Sequence, residues 1–282
     1  MGTKNIRIGE LNFYVVDEGS GPAALLLHGF PDSSDLWRNQ IPVLVDAGLR
    51  VIVPDLRGFG ESDKPIEVEA YALPVILQDT LGLLDKLGIE RAHVVSHDWG
   101  AAVGWLLAAL HPDRVNRFVA LSVGHGNAFR QAGLDQREKS WYMLLFQFSG
   151  LAEQVLVRDN WKLFRDLVRH HPETEKWIKD LARPGALTAG LNWYRANAGP
   201  EMFLAEPQPL PKVQAPTLAV WSSCDAYLTE AQVVRSAEWV TGSWQYERLE
   251  GASHWMQFDQ PARLNDLLVK FLIPTPLSPR LE

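Results

Sequence analysis

Six short, β-rich and largely apolar runs recur along the chain: "ALLLHGF" from residue 24, "RVIVPDL" from 50, "HVVSHD" from 93, "RFVALSVG" from 117, "TLAVWSS" from 217 and "YERLEG" from 246. Runs that are apolar without alternation have no face to give to water. They belong in a mostly parallel sheet covered by helices on both sides. Helical stretches such as "LPVILQDTLGLLDKLG" at 73–88 separate them, as parallel connections require. Ahead of them "IRIGELNFYVVDEG" alternates polar and apolar residues about a glycine and predicts an antiparallel hairpin. The fold class is therefore α/β, and 282 residues at 46% hydrophobic composition suffice to bury its core.

Between about His125 and Pro211 the rhythm changes to Trp-, Arg- and Glu-rich helical sequence with no strand pattern. The expected organisation is a core of residues 1–124 and 212–282 with a helical cap at 125–211. The prolines of "AEPQPLPKVQAPT" return the chain to the core in extended form. A formal net charge of -7 leaves no cationic excess to meet phosphates, which argues against nucleic acid or an anionic membrane surface and for a small uncharged ligand. The N-terminal stretch lacks a signal-peptide core, and "AAVGWLLAAL" at 101–110 is too short to span a bilayer, so a cytoplasmic protein is expected, as monomer or homodimer. The single cysteine, Cys224, has no partner for a disulfide and no metal-site spacing around it, and neither metal nor cofactor is expected.

The sharpest local feature is "SHDWGA" at 96–101. Ser96, Gly100 and Ala101 are the small residues needed where a strand turns abruptly into a helix, leaving the tip residue, Asp98, exposed above the helix dipole. Taken alone, an aspartate there also reads as an ordinary helix cap. Two later stretches shift the reading: "SSCDAYL" sets Asp225 just past one predicted strand, and "GASHWMQFDQP" sets His254 past the next, giving the order nucleophile, acid, histidine. Of the eight histidines only His254 follows the final strand, and His97 alternates away from Asp98 into the core.

"HGFP" at 28–31, "DLRGFGESDKP" at 55–65, "SHDWGA", "CDAYL" and "GASHW" together resemble an α/β-hydrolase of the epoxide hydrolase type, over nearly the whole chain. The resemblance implies an α/β-hydrolase fold with an inserted cap, Asp98 as nucleophile, His254 as base and Asp225 as its orienting acid. It also implies an oxyanion hole from the backbone N–H groups of Phe30 and Trp99, and ring-opening donors in Tyr142 and Tyr194. A carboxylate suits such a substrate: ionised at neutral pH, it can displace at an sp3 carbon of a strained ether, and the resulting ester has a carbonyl that water can attack.

The partners expected are a small apolar epoxide and water, in a pocket lined by Phe30, Trp99, Trp255 and the cap aromatics Trp141, Phe146, Phe148, Trp193 and Phe203; the cap aromatics also read as cap-to-core packing. A haloalkane or haloacid dehalogenase is the alternative, because it uses the same aspartate and Trp99 could hold a halide. Against it, dehalogenases of that type usually carry asparagine where this chain has Phe30. A fluoroacetate dehalogenase would be expected to carry arginine at the position of Trp99. No G-x-S-x-G occurs, the nearest stretch being "ALSVG" around Ser122. A catalytically silent protein on the same fold would be expected to have lost one of these groups.

Overall fold

The structure, a computed structural model, describes residues 2–203, 206 and 210–273, without the side chains of Met202 and Phe203. Its strands are β1 (Thr3–Ile8), β2 (Leu11–Glu18), β3 (Ala23–Leu27), β4 (Arg50–Pro54), β5 (Ala92–His97), β6 (Val115–Leu121), β7 (Thr217–Ser222) and β8 (Trp244–Leu249). They form one eight-stranded sheet in the order β1-β2-β4-β3-β5-β6-β7-β8. The expected hairpin is β1 and β2, paired antiparallel with Ile6 opposite Phe13 about Gly9, whose φ of 57° closes the turn. β2 pairs antiparallel with β4, and every pair from β4 onward is parallel.

Burial follows the sequence pattern. Every residue of β3, β5 and β7 is buried, which is why these runs carry no alternation. β8 lies at the sheet edge and only its Leu249 is buried, which accounts for the charges in "YERLEG".

The helices are α1 (Ile41–Asp46), α2 (Leu73–Lys86), α3 (Trp99–Leu110), α4 (Gly126–Arg130), α5 (Gly133–Lys139), α6 (Trp141–Phe146), α7 (Leu151–Leu167), α8 (Thr174–Leu181), α9 (Ala186–Asn197), α10 (Glu230–Arg235), α11 (Met256–Asp259) and α12 (Pro261–Leu272). α2 buries Ile76, Leu77, Thr80, Leu81, Leu83 and Leu84, the three- and four-residue spacing of one helical face. Helices α4 to α9 follow β6 and precede β7, with no strand among the described residues between them. α7 is broken where Asp159, Asn160 and Trp161 take positive φ. Among the described residues no helix is long and apolar enough to cross a membrane.

The strand order locates the site. From β3 the chain moves to β4 on one side and then crosses to β5 on the other. The loops leaving the C-terminal ends of β3 and β5 therefore diverge, and a crevice opens between them where ligands of open α/β sheets bind.

Candidate active site

β5 ends in that crevice at Asp98, whose backbone sits at φ 53°, ψ −125°. Positive φ is costly for a residue with a Cβ and persists only where the surroundings enforce it. Here they do. A Cβ on Gly100 would lie 2.4 Å from the His28 carbonyl oxygen, and one on Gly104 would lie 2.7 Å from Ser96 Oγ, so α3 packs against β3 and β5 closely enough to hold the turn.

The loop after β3 closes on the same residue: Phe30 N–H donates to Asp98 Oδ1 at 2.8 Å. A Cβ on Gly29 would come within 2.1 Å of that oxygen, so glycine is required for the approach. His28 fixes the loop from behind, its Nε2 accepting from Leu56 N–H at 2.9 Å, which leaves Nδ1 as the donor to the Gly29 carbonyl at 3.0 Å. Burial alone would raise the Asp98 pKa, but the His254 ring, the His97 ring and the Trp99 N–H outweigh it and hold the carboxyl below its ordinary value. One carboxylate oxygen, Oδ1, thus accepts from the Phe30 N–H, and the other, Oδ2, faces the His254 ring.

His254 reaches Asp98 from the loop between β8 and α11. Its Nε2 is 3.6 Å from Asp98 Oδ2 and its Nδ1 is 2.8 Å from Asp225 Oδ2. Asp225, fully buried, accepts at Oδ1 from the N–H groups of Tyr227 at 2.8 Å and Leu228 at 2.9 Å, so it cannot turn away from the imidazole. Burial disfavours charge on His254, but Asp225 and then Asp98 overcome this and raise its pKa to about 10.

Opposite Asp98 stand two phenols. Tyr142 of α6 and Tyr194 of α9 are buried with ring centroids 5.8 Å apart. Burial, and then the charge of Asp98, push both well above the usual phenol pKa, so both are donors at neutral pH. The cavity between the phenols and Asp98 has two lobes: about 390 Å³ on the Trp99 side and about 30 Å³ on the Phe30 side, with Asp98, Tyr142 and Tyr194 lining both.

The structure brings Asp98, Asp225, His254, Tyr142, Tyr194, Phe30 and Trp99 to this one place, with Phe146 and Trp255 in the wall of the small lobe. It corrects other pocket expectations. Trp141 is 51% exposed, because the phase of α6 turns Tyr142 and Phe146 inward, and Phe148, past the end of α6, is 58% exposed. Trp141 lines an adjoining hollow that Asp98 does not reach. Trp193 lines neither lobe: it is buried behind Trp99, ring centroids 5.9 Å apart, with its Nε1 donating to the Arg57 carbonyl at 3.0 Å. The side chain of Phe203 lies outside the described residues.

Two residues escaped the sequence reading. Tyr227 packs 5.2 Å from the His254 ring and 5.8 Å from Tyr142; its signal stood in the same "CDAYL" that marks Asp225. Asp32 is buried and accepts from Trp177 Nε1 at 2.8 Å and Trp255 Nε1 at 3.0 Å. Its partners lie 145 and 223 residues away, so nothing local announces them.

A family model described as alpha/beta hydrolase fold matches residues 22–261. A protein called Epoxide hydrolase A from Mycobacterium tuberculosis is 32% identical across 96% of this chain and 98% of its own. The chain belongs to the epoxide-hydrolase group of α/β-hydrolases. Among solved structures, Epoxide Hydrolase A of Mycobacterium thermoresistibile is similar with TM-score 0.81 and 30% identity, covering 98% of this α/β-hydrolase and 99% of that chain. An epoxide hydrolase of Bacillus megaterium, solved in complex with an inhibitor, is similar with TM-score 0.86 and 26% identity, covering 95% and 99%.

Proposed function

We propose that this α/β-hydrolase adds water to an epoxide to give a vicinal diol through an ester of Asp98. The observation that carries the reading is a carboxylate at the nucleophile turn facing two buried phenols across a cavity, Asp98 against Tyr142 and Tyr194. A serine at the turn needs a base to become nucleophilic; a carboxylate held below its ordinary pKa does not. Asp98 Oδ2 attacks a ring carbon, the ring C–O bond breaks toward oxygen, and that oxygen takes a proton from a tyrosine.

Esterification cancels the Asp98 charge that helps hold a proton on His254. That proton passes to the tyrosinate, leaving a free imidazole held by Asp225. His254 then takes a proton from water, and the hydroxide attacks the ester carbon of Asp98. Phe30 and Trp99 N–H groups receive the oxyanion, a contribution of about 3 kcal/mol per donor. Collapse expels the alkoxide, which takes the proton of the new carboxyl group; carboxylate, phenol and imidazolium are all restored. The dehalogenase reading keeps Trp99 but lacks the amide donor beside it, since the Phe30 side chain offers a halide only a ring, packed edge-on against Tyr194 at 5.6 Å.

One turnover in heavy-oxygen water with enzyme in excess tests the mechanism. Label in the peptide carrying Asp98 is expected, because one water oxygen stays in the carboxylate. Label confined to the diol would mean direct attack by water and would overturn it.

A further inference from the structure

We infer that the site selects epoxides with one bulky apolar arm and nothing larger than a methyl group on the second ring carbon. This rests on the epoxide-hydrolase reading above. Asp98, Tyr142 and Tyr194 border both lobes, so an epoxide whose oxygen meets the phenols and whose carbon meets Asp98 directs the substituents of its two carbons into opposite lobes. The lobes are far from equal. The larger, about 390 Å³, is walled by Trp99, Trp105, Leu106, Val123, Met143 and Leu228, enough for an aromatic or alkyl arm. The smaller, about 30 Å³, has room for roughly one or two waters.

The small lobe also has a prior claim on it. His254 and Asp98 line it, with Nε2 and Oδ2 3.6 Å apart, so the water that opens the ester must stand there. A second bulky arm would displace that water. Nor can the walls yield: Phe30 packs on Phe146 at 5.9 Å, Phe164 at 6.4 Å and Tyr194 at 5.6 Å, while Trp255 is pinned to Asp32 and lies 4.4 Å from Trp177. Interlocked buried rings resist expansion.

Rates of diol formation by the whole chain on styrene oxide, trans-β-methylstyrene oxide and trans-stilbene oxide test this. The first two are expected within about tenfold of each other in kcat/KM, with stilbene oxide lower by about 100-fold or more, the discrimination of a group that a rigid pocket cannot admit. Leu167→Ala enlarges the small lobe; it is expected to raise kcat/KM for stilbene oxide relative to styrene oxide by about tenfold. Stilbene oxide within about tenfold of styrene oxide in the parent chain overturns the inference and leaves epoxide hydrolysis standing. Diol from none of the three overturns both. If the parent shows the preference but Leu167→Ala folds and leaves it unmoved, the small lobe is not its source and the inference falls.

Discussion

At the scale of single residues, the proposed mechanism divides its two steps between Asp98 and His254. In that reading Asp98 needs no base to attack, whereas its ester needs His254 to activate water, so removing the imidazole should separate the steps. His254→Gln should still be alkylated, and intact mass should show protein plus epoxide accumulating while turnover falls by about 10²- to 10⁴-fold, the usual worth of a general base. Parental turnover with no adduct would count against the assignment. Gly29 is a second residue-level test, since its Cβ would sit 2.1 Å from Asp98 Oδ1. Gly29→Ala should displace the carboxylate and cost about 100-fold in kcat/KM, the effect of an ångström-scale misplacement. A rate unchanged by Gly29→Ala would show that Asp98 does not react from this position.

At the scale of elements, α6 and α9 each bring one phenol to the cavity that Asp98 lines, so in the proposed mechanism either helix alone leaves a donor in place. Tyr142→Phe and Tyr194→Phe should each lower kcat by about tenfold, and the double variant by more than the product of the two, as expected for groups that substitute for each other. Strictly multiplicative losses would mean the phenols act independently. The elements also explain what the sequence reveals. Buried parallel strands write their burial as uninterrupted apolar runs, and the turn after β5 writes its crowding as Ser96, Gly100 and Ala101, so the sheet and the elbow are legible. The inward face of α6 is not. Trp141, Tyr142 and Phe148 are all aromatic, and only packing against α9 and the core decides that Tyr142 turns in while the other two turn out. Trp193 takes the packing role of its two readings for a related reason: its neighbour Tyr194 faces the cavity, and the next position on a helix points elsewhere.

At the scale of the whole molecule, Asp32 joins three separate parts of the chain: the loop after β3, Trp177 on α8 and Trp255 beside His254. Burial outweighs the two indole donors and nearby Lys176, with Asp98 adding to the rise, and the carboxyl pKa climbs to about 7. The unfolded chain would titrate it near 3.9. A raised folded pKa means the folded state binds the proton more tightly, so this group's contribution is complete below about pH 4 and is lost as pH rises through about 7, amounting to about 4 kcal/mol. Buried His93, His97 and His125 have depressed pKa values because burial disfavours their charged forms, so their contributions run the opposite way and vanish as pH falls. A raw stability profile therefore mixes both signs. Comparison with Asp32→Asn removes the histidines, which both proteins share. Urea unfolding at pH 4.5 and 8 should show the variant losing most relative to the parent at the acidic end, with the gap shrinking toward pH 8 as the parent has to bury a charge. A gap independent of pH would mean that Asp32 stays ionised throughout, held by its two tryptophans as a permanent anion.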